Sequence, residues 1–142
     1  MYGENNLKRF LDAQQADYET ALAEIKNGRK ESHWMWYIFP QIQGLGSTET
    51  SKFFAIKSIE EAQEFLEHPV LGSRLLEISN ALLNLKENNA TAIFGSPDDM
   101  KLRSSITLFA EVDHAEQVFQ KVLDKFFNGR RDNKTLQIIN NR

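Results

Sequence analysis

Two stretches of this sequence carry the residue types that could do chemistry. The first, Ser32-His33-Trp34-Met35-Trp36-Tyr37-Ile38-Phe39-Pro40-Gln41, sets an imidazole and a carboxamide among four aromatic rings. The second places Lys101, Arg103, Ser104 and Ser105 shortly after Ser96-Pro97-Asp98-Asp99. Ammonium, guanidinium and hydroxyl groups in one cluster suit a phosphate or a carboxylate. Aromatic walls with a few polar groups are what small-molecule pockets are made of. The candidate binding residues are therefore His33, Trp36 and Gln41 on one side and Lys101, Arg103 and Ser104 on the other. His33 is the candidate catalytic group, as a general base or donor. The expectation is that the two stretches meet in one cleft, which binds or acts on a small anionic ligand containing a phosphate or a nucleotide.

Each of these residues also has a plainer reading. A helix from His33 to Phe39 would be apolar nearly all round, and such a helix is usually buried as core. His33 then makes a hydrogen bond in the first turn, and Arg103 pairs with Asp99 at i, i+4 spacing. Asp98 and Asp99 already occupy the positive end of their helix dipole, which argues against an anion at that terminus. On this reading the chain is a structural or protein-interaction module without catalytic activity. Both functional classes stand on the residues alone.

Several other chemistries are excluded. There is no cysteine, so no disulfide, thiolate metal site or cysteine nucleophile. His33, His68 and His114 lie far apart without ligand spacing, and no acidic loop has calcium-binding spacing, so neither metal nor cofactor is expected. Gly44-Leu45-Gly46-Ser47 lacks the spacing of a phosphate-cradling loop. No Ser-His-Asp set, nucleophile elbow or carboxylate pair stands out. Lys26, Arg29, Lys30, Arg130 and Arg131 read as solvated faces. Lys and Arg number 17 against 20 Asp and Glu, a net charge of −3, which speaks against a nucleic-acid partner.

The opening Met1-Tyr2-Gly3-Glu4-Asn5-Asn6 has neither the basic nor the apolar part of a signal peptide, and Gly3 does not follow Met1 directly. No apolar run is long enough to span a bilayer. The expectation is a soluble cytoplasmic protein with no membrane partner, its oligomeric state open.

The elements that must position these residues are legible from apolar spacing. Leu7, Phe10 and Leu11 form one stripe. Tyr18, Leu22 and Ile25 form a second, capped by Asp17 and stopped at Gly28. Ser32 can cap a helix ended by Pro40. Ser58 with Glu61 makes a capping box ahead of Ala62 and Phe65. His68-Pro69 closes one helix and opens the next, which carries Leu71, Leu75, Ile78 and Leu82. Ser96 caps a helix with Pro97 in its first turn, whose inward face is Leu102, Ser105, Ile106 and Phe109. Val118, Val122 and Leu123 lie on another helix, and Leu136, Ile138 and Ile139 on a short last one. Residues 41–50 read as loop, and Phe53, Phe54 and Ile56 as a short strand or helical turn. The fold expected is all-α, a single compact domain over residues 1–142. It is an irregular array of about seven to nine helices, each too short for an up-and-down bundle.

The two long strings also carry a resemblance, together with Arg9-Phe10, Asp12-Ala13-Gln14, Gly44-Leu45-Gly46 and His68-Pro69-Val70-Leu71-Gly72. From about Leu7 to Leu136 the chain resembles the bacterial domain-of-unknown-function family 1810. The resemblance implies an all-helical fold and no particular activity. Some members of that family carry the label calpastatin, which denotes a disordered inhibitor. With 41% hydrophobic and 26% charged residues, this sequence has the composition of a folded domain instead. Since no metal is expected to hold the fold, dialysis against a chelator should leave the melting temperature unchanged; a clear drop would overturn that expectation.

Overall fold

The apolar stripes become nine helices among the described residues: α1 (Tyr2–Lys26), α2 (Met35–Ile38), α3 (Glu49–Phe53), α4 (Ile59–Glu67), α5 (Leu71–Leu83), α6 (Ala90–Phe94), α7 (Asp98–Ala110), α8 (Gln117–Phe127) and α9 (Asn133–Asn140). The computed structural model describes the backbone of residues 2–141 and the side chains of residues 7–141. Met1 and the side chains of residues 2–6, read above for targeting signals, lie outside the described residues. The architecture is all-α, and no strand forms among the described residues; a lone parallel bridge joins Ile42 to Ile56. None of the described helices is long and apolar enough to cross a membrane.

The core is organised by a path of phenylalanine rings. Phe10 of α1 meets Phe65 of α4 edge to face at 5.2 Å, Phe65 meets Phe109 of α7 at 5.3 Å, and Phe109 meets Phe119 of α8 at 6.0 Å. All four are fully buried. Such pairs add directional preference to the burial of large apolar area. Helix α7 packs against α4, α6, α8 and α9, and its Leu102, Ser105, Ile106 and Phe109 are completely inaccessible. A buried ion pair pins α1 to α4: Arg9 donates to Glu61 at 3.1 Å and also to the carbonyl oxygens of Phe53 and Ala55.

Helix α1 runs unbroken where two separate stripes suggested two helices. The polar residues between the stripes have tertiary partners. Gln14 is buried and donates to the Tyr37 carbonyl at 2.8 Å, and Asp17 accepts from the Tyr37 hydroxyl instead of capping a helix. The aromatic segment is likewise less helical than its composition suggests. Only Met35–Ile38 is helical, with Trp34 at the cap position and no side-chain cap. Ser32 donates its hydroxyl to Glu24 of α1 at 2.5 Å.

Glu24 also accepts from the Trp34 indole at 2.8 Å and from the amides of Glu31 and Ser32 at 2.8 and 3.0 Å. Burial works to raise its pKa, but these hydrogen bonds outweigh burial and hold it down to about 2. Glu24 thus fastens the start of the aromatic segment to α1.

The caps divide into two kinds. Ser58 accepts from the Glu61 amide at 3.1 Å and Asp132 from the Thr135 amide at 3.0 Å. His68 caps α5 through Nδ1, which accepts from Val70 and Leu71. Ser96 does not cap α7. The helix begins one residue later than expected, so Pro97 takes the cap position and offers no side-chain acceptor, while Ser96 stays exposed.

Ser58→Ala should cost about 0.5–2 kcal/mol, whereas Ser96→Ala should stay within about 0.5 kcal/mol, both read from urea denaturation; equal losses would contradict the cap assignment. Glu24 has a depressed pKa, so its contribution to stability is present above its ordinary 4.5 and is lost as pH falls through about 2. Glu24→Gln should therefore melt below the wild type at neutral pH. The gap should narrow as the pH is taken down towards about 2, and a gap constant with pH would refute the linkage.

Candidate functional site

The two distinctive strings meet first through their buried rings. Trp34, Phe39 and Phe94 form a triangle with centroid separations of 6.3, 6.0 and 6.4 Å. Trp34 is 1% exposed, so this indole belongs to the core. Trp36 lies two residues on, which turns its side chain to a different face. It is half-buried at the surface, under the ammonium of Lys101, whose Nζ stands 4.0 Å from the ring centroid.

Lys101 is held there by Asp98, at 3.2 Å, one turn earlier on α7. The same carboxylate takes Lys30 at 2.9 Å, and Lys30 in turn lies over the Trp34 ring at 5.0 Å and donates to the Ser32 carbonyl at 2.6 Å. Burial of the Asp98 carboxyl works to raise its pKa, but the hydrogen bonds and charges of the two lysines outweigh burial and hold it below the usual range. The result is a row from one indole to the other: Trp34, Lys30, Asp98, Lys101, Trp36. Each ammonium sits on an aromatic face, an attraction that strengthens as water is excluded.

Trp36 and Lys101 also line a surface cleft of about 180 Å³, together with Gln41, Gln43, Lys52 and Phe54 among others. Its floor comes from the extended residues around the Ile42–Ile56 bridge, where the Gln43 amide donates to Ile56 and the Ile56 amide to Gln41. Its far wall comes from the loop at residues 44–46. Lys52 is exposed and makes no ion pair among the described residues.

Of the six residues singled out from the sequence, the structure brings Trp36, Gln41 and Lys101 together in this cleft. The other three lie outside its lining. His33 is exposed, and among the described residues only its carbonyl is engaged, accepting from Tyr37. Arg103 donates to the carbonyl oxygens of Arg130 and Arg131, both at 3.0 Å. Its expected partner Asp99 instead accepts from the Thr91 hydroxyl and the Met100 amide. Ser104 is buried and donates to the Met100 carbonyl within its own helix. No group of three or more metal-ligating side chains clusters among the described residues.

Sequence reasoning passed over Lys30, Lys52 and Gln43. Lys30 sits beside Arg29 and looks like a solvated charge; nothing local announces its burial. Gln43 was within reach: Gln41-Ile42-Gln43 is a polar–apolar–polar alternation, the mark of an extended segment with one buried face.

The profile of the family described as "Protein of unknown function (DUF1810)" matches residues 4–139. Among solved structures the chain is similar to the conserved hypothetical protein Rv1873 from Mycobacterium tuberculosis. The TM-score is 0.93 and the identity 42%, over 95% of this chain and 96% of that one. No curated protein matches the chain significantly. Since the profile spans nearly its whole length and a second protein shares its fold at that identity, the chain belongs to the family of unknown function numbered 1810.

Proposed function

We propose that the cleft between the aromatic segment and α7 binds a small ligand carrying a phosphate-type anion, drawn from the cytoplasmic pool, and that Trp36, Gln41 and Lys101 meet it. What supports this reading is the local charge. Two ammonium groups, Lys30 and Lys101, share the single carboxylate of Asp98, and neither has another ion-pair partner among the described residues. The side chains are 7%, 23% and 20% exposed for Lys30, Lys101 and Asp98. One positive charge is therefore left over where solvation is poor, which is costly unless something offsets it. The two indole faces offset part of that cost. An anion seated at Lys101 offsets the remainder, and Lys52 adds a second cation at the same cleft.

His33, Arg103 and Ser104 stay outside this proposed site, since two of them have protein partners and the third lies away from the cleft lining. The lining side chains supply binding chemistry: ammonium groups, carboxamides and rings.

One observation favours an interaction module instead. Phe53 is 59% exposed, edge-on to Phe54 at 4.8 Å, and large exposed rings are what partners cover.

The two tryptophans make the test simple. In a proton–nitrogen NMR titration with inorganic phosphate and with ribose 5-phosphate at millimolar concentrations, the Trp36 indole signal should move. The Trp34 signal, whose N–H is tied to Glu24, should stay. Lys101→Met should abolish the movement while leaving Trp34 in place as proof of folding. A Trp36 signal indifferent to both anions would overturn the reading in favour of the interaction module.

A further inference from the structure

The cleft holds more recognition chemistry than an anion needs. Gln41 and Gln43 flank Ile42, whose bridge to Ile56 holds the segment in place, and Gln43 opens the turn that follows. Ile42, between them, is 2% exposed and turned into the core. Both glutamines line the cleft, and neither side chain hydrogen-bonds to any described residue. Gln41 is half-buried in that condition. Carboxamides in such a place have donors and acceptors to give to something else.

Beside them stand the rings of Trp36 and Phe54 and the aliphatic side chain of Leu45. The volume, about 180 Å³, is of the size that admits one ring system, since a cavity of roughly 150 Å³ takes a benzene ring. A carboxamide matches an edge on which a donor and an acceptor sit next to each other, and pairs with it through two hydrogen bonds. Aromatic walls hold the faces of such a ring. A ring with an amide-like edge, joined to an anion, is the chemistry of a nucleobase in a mononucleotide.

Resting on the anion-site reading above, we infer that the cleft is a mononucleotide site, in which Gln41 and Gln43 read the edge of the base, Trp36, Leu45 and Phe54 hold its face, and Lys101 and Lys52 take the phosphate. The small volume sets this apart from a polymer groove: it takes one base.

The experiment compares the four ribonucleoside 5′-monophosphates with ribose 5-phosphate, following the Trp36 indole signal for wild type, Gln41→Leu and Gln43→Leu. At least one nucleotide should bind roughly tenfold or more tightly than the sugar phosphate, as base stacking on aromatic side chains implies. The ratio of nucleotide to ribose 5-phosphate affinity should fall in either glutamine variant, with the Trp34 signal unmoved. Four nucleotides no tighter than ribose 5-phosphate would overturn the base site and leave the anion site standing. A nucleotide advantage untouched by both substitutions would remove the glutamines from the assignment. Failure of nucleotides and sugar phosphate alike would overturn the anion site together with everything built on it.

Discussion

Asp98 accepts two ammonium groups on one carboxylate, and the arrangement of the surface around it depends on that sharing. Lys30 comes from the turn after α1 and Lys101 from α7, so the carboxylate ties two segments about seventy residues apart in the chain, a closure that costs little more entropy than a shorter one. The Lys30 amide also donates to the Ile93 carbonyl at 2.7 Å, which secures the turn to α6. Burial disfavours a charged Asp98; the two lysines more than reverse that and keep it ionised. Breaking the arrangement at the carboxylate would strand two cations in a half-dry place, which is worse than never having built it. The same carboxylate fixes where the Lys101 ammonium stands on Trp36, and so sets the charged end of the cleft.

Trp34 and Trp36 show how one short segment serves both core and surface. Side chains two residues apart in a helical turn point to nearly opposite sides. Trp34 enters the core, where its N–H needs a partner and finds Glu24. Trp36 is turned out to the cleft rim and keeps a face for Lys101. Core and cleft wall therefore divide residue by residue within the segment. A string apolar all round is apolar towards two different neighbours here: the Phe39–Phe94 pair inside and the cleft outside.

What could be read from the sequence was what local periodicity and local caps encode. The inward face of α7, Leu102, Ser105, Ile106 and Phe109, is buried as its spacing implies, and Ser58 caps α4. Three of the readings that differ from the structure share one cause. Local spacing offers Asp17, Ser32 and Arg103 a partner within their own segment, and each is satisfied by one in a distant segment: Tyr37, Glu24, and the carbonyls of 130 and 131. Asp and Ser have many local options, a long arginine reaches several segments, and sequence spacing does not say when a tertiary partner wins. Trp36 and Lys101 were legible as unusual residues; their contact was not, because it depends on how Asp98 and Lys30 pack.

Arg103 illustrates how a residue can matter to the cleft from outside it. By donating to the carbonyls of Arg130 and Arg131 it secures the turn that leads into α9, and the Asp132 amide donates to Thr107 of the same helix α7 at 2.9 Å. Helix α9 then presents Ile138 against the glycine loop. A Cβ at Gly44 would come within 3.3 Å of Ile138 Cδ1, and the φ of Gly44 is +110°, which side chains rarely tolerate. A Cβ at Gly46 would fall 2.6 Å from the Ser51 hydroxyl. The loop is thus pressed between α9 on one side and α3 on the other, and both glycine positions resist a side chain. That packing places the far wall of the cleft, and it runs back through α9 to a guanidinium on α7, two residues beyond Lys101.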